Sequence, residues 1–238
     1  MRNALYIFKR ELGSYFEQPL AYFALTMFLG MVAIFSLWFH DLLLSGVASM
    51  RVPFFWMATM LLLLAPAITM RSIAEERRTG SIEMLLTLPV SPTEVVVGKW
   101  MAALFLLLCG LALTLTYPVA LSLLSTLDWG PVLGGYLGLG LMAGAFAAIG
   151  VAASTTSQNQ IVSFLIATSV TLIPFALGYF LSIVPGESLA WVQYLTFEYH
   201  FSNLAKGVID SRSVVFYCSI VVVALQTSST LLHSRRLS

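Results

Sequence analysis

An all-α membrane protein is the fold class that this sequence predicts, and three observations predict it. Of the 238 residues, 59% are hydrophobic and 10% are charged, where ordinary soluble domains carry roughly a quarter charged. Uncharged apolar runs recur along the chain at lengths near the roughly 20 residues that a helical crossing needs. Charged residues gather in the stretches between these runs. The chain is long enough for one membrane domain and leaves no uncommitted segment for a second folded unit. A formal net charge of +1 leaves no electrostatic footprint for nucleic acid. Cys109 and Cys218 stand far apart inside apolar runs, without a CxxC spacing or a neighbouring His, and read as small apolar core residues rather than a disulfide or metal ligands.

Residues 2–18 have the pattern of an amphipathic helix. Leu5, Phe8, Leu12, Tyr15 and Phe16 share one face and Arg10, Ser14 and Glu17 the other. No small-residue cleavage site follows a short apolar core, so this is not a signal peptide. Residues 1–19 are therefore expected to lie along the membrane interface, and residues 20–238 to form the membrane domain. Pro19 ends the helix, and Leu20–Phe39 supplies a first span. A connection with His40, Asp41 and Arg51 leads to a second, Val52–Met70.

The third span starts with clear chemistry. Ser91 is followed by Pro92 at the first helical position and Glu94 at the third, a capping box, with Val90 and Val95 flanking it as a hydrophobic staple. No charge falls between Lys99 and Asp128, so this helix is expected to continue as one long span. The 58 uncharged residues between Asp128 and Glu187 are too many for one crossing. The polar run STTSQNQ, residues 154–160, divides them into a fourth span over about 132–153 and a fifth over about 161–184. Gly134, Gly138, Gly140 and Gly144 form small-xxx-small pairs, suited to tight packing inside one subunit or to a dimer seam. Pro174 and Gly178 predict a kinked or broken fifth span. In residues 185–212, Trp191, Tyr194, Phe197, Tyr199 and Phe201 alternate with Glu198, His200 and Lys206, a spacing for short helices at headgroup level that serve as an aromatic belt or a substrate gate. Ser213–Leu232 is the sixth span.

Six spans place both termini on one side. That side holds Arg2, Lys9, Arg10, Arg71, Arg77, Arg78, Lys99, Arg235 and Arg236, against Arg51, Lys206 and Arg212 on the other. The bias puts both termini and the Arg71 segment in the cytoplasm. The proposed spans carry no ionisable residue away from their ends, which argues against ion-gradient coupling. There is no HExxH, no Cys/His cluster and no pair of intramembrane carboxylates. Gly98-Lys99 is the one GK step, but Thr93 and Trp100 stand where a P-loop needs Gly and Ser or Thr, so ATP is not bound by that route.

Arg71–Trp100 is the one long polar segment between uncharged runs, with Arg71, Glu75, Glu76, Arg77, Arg78, Glu83, Glu94 and Lys99. Gly80 is an acceptable N-cap with Glu83 three residues on, and Ile82, Leu85 and Leu86 form an apolar stripe that Pro89 terminates. A helix of about two turns is too short to be stable alone in water. Its apolar patch fits a partner's groove; the alternative is an ordinary charged inside loop.

The run IAEERRTGSIEMLLTLPVSPTEVVVGKW, residues 73–100, resembles the segment between the second and third spans of ABC-2 type transporter permeases. The amphipathic start, the six-span pattern, the polar break after span four and YHFSNLAKGVID, residues 199–210, extend the likeness, the last toward the gliding-motility-associated and nitrous-oxide-reductase-maturation branch. The resemblance implies six transmembrane helices with an N-terminal connecting helix, a cytoplasmic coupling segment over 71–94, and short outer helices between spans five and six. It assigns contact with a separate ATPase subunit to Glu75, Glu76, Arg77, Gly80, Ser81, Ile82, Glu83, Leu85 and Leu86. It further implies pairing with a second or homologous permease in a bacterial inner membrane, room for an outer-side accessory protein, and ATP and magnesium held on the partner ATPase with no cofactor on this chain. The function expected is the permease subunit of an ATP-driven exporter, not itself an enzyme. The alternative is a non-transporting scaffold that passes ATPase work to a motility or maturation assembly; a haem or copper maturation role is disfavoured by the lack of a Cys/His cluster.

Overall fold

In hydrocarbon a backbone has no water to bond, so every N–H and C=O must find its partner inside the segment. The described residues accordingly hold helices and no strand. The computed structural model describes residues 2–17, 19–37, 49–81, 90–124, 126–183, 190–208 and 210–236. They form α1 (Arg2–Glu17), α2 (Pro19–Leu37), α3 (Arg51–Thr69), α4 (Ala74–Arg78), α5 (Pro92–Leu113), α6 (Thr116–Leu124), α7 (Trp129–Thr156), α8 (Gln160–Ile183), α9 (Ala190–Gln193), α10 (Phe197–Ala205) and α11 (Ser211–Arg236). Among the described residues, five segments are long and apolar enough to cross a membrane: Arg51–Arg78, Pro92–Leu123, Trp129–Thr156, Gln160–Leu181 and Ser211–Ser234. The α2 helix meets that test only together with α1, from which it is bent by 72°.

The α7 helix is the hub, packing against α3, α5, α8, α10 and α11. Its small residues permit this. A Cβ on Gly134 would strike the Leu204 carbonyl oxygen of α10, one on Gly135 the Phe54 ring of α3, and one on Gly150 the Thr69 hydroxyl. A Cβ on Gly138 would lie 3.1–3.3 Å from Phe201 and Leu204. Gly134 and Gly138 are thus filled by this chain's own α10, while Gly140 and Gly144 face α5 at ordinary contact distance.

Several expectations are refined or corrected. The third span is one long segment, Pro92–Leu123, as expected, but its helix is not continuous: Thr114 and Leu115 interrupt it between α5 and α6. Pro118 lacks the amide that would reach the Thr114 carbonyl, and that carbonyl instead accepts from Tyr117 N (3.0 Å) and the Tyr136 hydroxyl (2.9 Å). Conversely, of the expected kinked or broken fifth span, the break is absent: Pro174 lies inside α8, which runs from Gln160 to Ile183. Gly178 is a packing position, because its Cβ would sit 2.7 Å from the Thr196 hydroxyl. Cys109 is half-buried and Cys218 exposed, so neither is a core residue. On α1 the buried side chains are Ala4 and Ile7, whereas Leu5 is 50% exposed and Phe16 is also exposed. The expected apolar face is therefore divided: Leu5 and Phe16 are turned out, where a membrane protein meets lipid, while Phe8, Leu12 and Tyr15 are half-buried, Phe8 edge-on to Phe105 and Tyr15 against the bundle core.

The aromatic residues of 185–212 divide in the same way. Trp191 (84% exposed) and Tyr194 point outward, while Phe197 and Phe201 are buried against the bundle. His200 is buried with them, stacked 4.1 Å from Phe216. Its Nε2 lies 3.0 Å from the Tyr194 carbonyl and so donates, leaving Nδ1 to accept from the Ser213 hydroxyl at 3.1 Å. Burial lowers its pKa below the ordinary value.

The chain's two ends of helices separate cleanly. Ile73, Val96, Val151 and Leu232 pack together at one end, which also holds α1 and α4. The α10 helix lies at the other, beside the start of α7. Gly134→Ala and Gly150→Val should each lose about 1–3 kcal/mol by overpacking. Gly13→Ala, with nothing within 4 Å of its Cβ, should gain up to about 1 kcal/mol of helix propensity. Thermal unfolding in detergent checks all three, and a neutral Gly134→Ala would contradict the close approach of α10.

Candidate functional site

Lys99 is the one charged residue between Glu94 and Asp128, and the site is built on it. The Ser91 cap places it. Ser91 Oγ accepts from Glu94 N and Glu94 Oε2 from Ser91 N, both at 3.2 Å, so the expected capping box forms. The staple residues Val90 and Val95 pack with Ile7 of α1. One turn on, Gly98 lets α1 lie directly against α5: a Cβ there would be 2.8 Å from the Ala4 carbonyl and 2.9 Å from Ile7 Cβ. Asn3 Nδ2 donates to Glu94 Oε2 at 3.3 Å from the same helix. This close cover leaves Lys99 2% exposed.

An ammonium taken out of water must be paired. Lys99 Nζ donates to Glu11 Oε1 at 3.0 Å and to Glu76 Oε1 at 2.8 Å. Glu11 stands one turn beyond Ile7 on the same face of α1, and Glu76 comes from α4. Two carboxylates that would repel each other therefore converge on one buried cation. Arg10 extends the cluster with 3.1 Å to Glu11 and a long 3.5 Å contact to Glu76. Because Arg10 is mostly exposed, that addition contributes little. Among the described residues, Glu76 Oε2 is buried without a hydrogen-bond partner, as is Arg71 Nε.

The five residues of α4 could not hold a helix alone. A second anchor fixes them on the other side. Arg77 Nη1 donates to the Thr155 carbonyl at 2.7 Å, one of the last carbonyls of α7, which have no partner within the helix and favour a cation. The Ser72 and Ser154 hydroxyls meet at 2.9 Å, and Ile73 and Ala74 are buried beneath. The polar run after span four is thus the seat on which α4 rests.

The expected contact residues fall into three sets. Glu76 and Arg77 turn inward and tie α4 to α1, α5 and α7. Glu75, Gly80 and Ser81 are exposed. Ile82, Glu83, Leu85 and Leu86, with Pro89, lie outside the described residues. Gly80 differs from the expected N-cap: its φ of 73° is left-handed, and its N–H reaches the Arg77 carbonyl at 3.4 Å, closing α4. Sequence reasoning missed Lys99, Glu11 and Thr155 as a set. The isolated charge at Lys99 beside a glycine was the available signal; its partners are 88 and 23 residues away.

Residues 41–224 of the 238 match the family described as ABC-2 family transporter protein. The chain belongs to this ABC-2 family. The matched region takes in α4, Lys99 and Thr155, while Glu11 precedes it. No curated protein matches the chain. Family and apolar helices together make this ABC-2 protein a multi-pass membrane protein, the membrane subunit of an ABC transporter and not itself catalytic. ABC-2 permeases generally work with an ABC ATPase subunit.

Lys99→Met should cost about 3–5 kcal/mol, the range for removing one partner of a buried ion pair. Glu76→Gln should cost less, because Glu11 remains. Unfolding in detergent, with proteolysis of 71–81 as a local readout, measures both. Wild-type stability in Lys99→Met would show that the ammonium does not organise this end.

Proposed function

We propose that this chain is the six-span permease subunit of an ATP-driven exporter, with α1 as a connecting helix at the interface, α2 as the first span and 71–94 as the coupling segment. A separate ATPase, holding ATP and magnesium, contacts residues 80–89 through Ile82, Leu85 and Leu86, with Glu75, Gly80, Ser81 and Glu83 around them. Glu76 and Arg77, also assigned to that contact by resemblance, act mainly as ties that carry its motion inward. The observation that carries this reading is the double anchoring of α4: Glu76 on Lys99 of α5 and Arg77 on Thr155 of α7. A push on the segment that follows α4 moves two candidate spans together. Alternating access in a pair of such permeases, identical or homologous, is the mechanism this supports. The branch of gliding-motility and nitrous-oxide-reductase-maturation permeases, with an outer-side accessory protein, is the nearest setting for it.

The charge bias supports a bacterial inner membrane with both termini inside. Lys9, Arg10, Arg71, Arg77, Arg78 and Lys99 sit at the α4 end, and Arg51, Lys206 and Arg212 at the other. Reporters after Ser238 and within α4 at Arg77 should read cytoplasmic, and one at Ser188 should read outside. An outside signal at Arg77 ends the coupling proposal.

Leu85→Asp should release the ATPase while leaving membrane insertion and permease pairing intact, since a charge placed in an apolar contact adds to a loss of about 2 kcal/mol or more. Glu83→Ala should do less, about 1 kcal/mol if the residue only caps. Co-purification of the ATPase with each variant decides: wild-type stoichiometry and activity with Leu85→Asp would rule this segment out as the coupling element.

A further inference from the structure

At the end of the molecule away from α4, a chamber of about 550 Å³ opens between the starts of α3 and α7, α8 and α10. That volume suits a small organic ligand. Its position follows from helix length. Arg51 opens α3, and the helix needs 19 residues, about 28 Å, to reach the α4 end. The chamber therefore lies one hydrocarbon thickness away, at the level of the opposite headgroups.

The lining is divided by chemistry. Phe54, Phe175 and Phe201 are buried and form an apolar floor, while Arg51, Lys206 and Glu198 bring two cations and one carboxylate to the same space. None of these three charges forms an ion pair with another described residue. Asp128 also lines the chamber, but its Oδ1 accepts from Gly130 N at 3.0 Å and caps α7. Glu198 is half-buried; burial raises its carboxyl, and the nearby Lys206 and then Arg51 pull it back. Cations at headgroup level with no ion-pair partner among the described residues suit a phosphate. A half-buried carboxylate beside them suits an ammonium on the same ligand, and the aromatic floor suits the beginning of a hydrocarbon chain.

We infer that this chamber binds an amphiphile with a phosphate-ammonium headgroup of the phosphoethanolamine type, its phosphate between Arg51 and Lys206, its ammonium at Glu198 and its apolar part on Phe54, Phe175 and Phe201. The inference needs the chain in a membrane but not the ATPase contact proposed above, so either can fail alone. The ligand is a resident bilayer lipid or a transported one, and the chemistry is shared.

The test uses the purified full chain in detergent, titrated with short-chain phosphatidylethanolamine and phosphatidylglycerol and read by native mass spectrometry. Phosphatidylethanolamine should bind more tightly. Arg51→Ala/Lys206→Ala should weaken both lipids by about tenfold or more, the weight of a charge-assisted hydrogen bond. Glu198→Gln should remove the preference for phosphatidylethanolamine while sparing phosphatidylglycerol. Arg51 and Lys206 are exposed, so melting without lipid should be unchanged and separates binding from folding; if the double variant does not fold, Lys206→Ala alone carries the same expectation. Equal or tighter binding of phosphatidylglycerol to the wild type, or unchanged binding in the cation variant, overturns the inference. With the site established, a lipid that stays bound through ATP turnover by the complex is resident, and one lost from donor vesicles is cargo.

Discussion

The buried ammonium of Lys99 is the constraint from which the α4 end of the molecule follows. One cation removed from water requires anions, and the two that reach it come from α1 and α4, elements that have little reason of their own to sit there. A short amphipathic helix and a five-residue helix are each weak structures in isolation. Fastened to the same nitrogen atom, and packed on Gly98 and Ile73, they form one assembly with the first turns of α5. Removing water strengthens the pairing and also makes it intolerant of a missing partner. Specific geometry, more than net stability, is what such a cluster contributes.

The second fastening is different in kind. Arg77 takes a carbonyl that the end of α7 leaves open, so α4 is held at once by an ion pair to α5 and by a helix-end hydrogen bond to α7. The α7 helix then runs 28 residues, about 42 Å, to the end where its glycines admit α10 and where the amphipathic chamber opens. Its interior position contrasts with that of α8 and α11, whose apolar stretches are mostly uncovered by the described chain. A helix packed on five others, anchored at one end beside α4 and flanking a chamber at the other, links the two ends of the fold without any intervening hinge in its own backbone.

Much of this was legible in the amino acids because lipid allows few choices. Uncharged run length, Pro19 after the first helix, Pro92 with the Ser91–Glu94 box at a helix start and the STTSQNQ break are local signals, and each corresponds to a helix boundary. The short helices α9 and α10 and the end of the molecule at which basic residues collect were readable for the same reason. Local signals misled where a distant group answered a backbone need. The Pro118 break falls inside an uninterrupted apolar run, and the Thr114 carbonyl it exposes is met by Tyr136 from another helix.

What the sequence determined alone was the class and most of the helix boundaries, since hydropathy and capping act over a few residues; the family was legible only through the resemblance carried by residues 73–100. Only the tertiary structure decided which charges meet, which face of α1 turns inward and which glycines are filled from within. Those outcomes depend on contacts between residues tens of positions apart. In a membrane protein, moreover, an apolar face is as well placed against lipid as against protein, so hydropathy cannot say that Leu5 faces out while Ile7 faces in. The steric opening at Gly98 and the buried charge of Lys99, which Glu11 answers, made that decision.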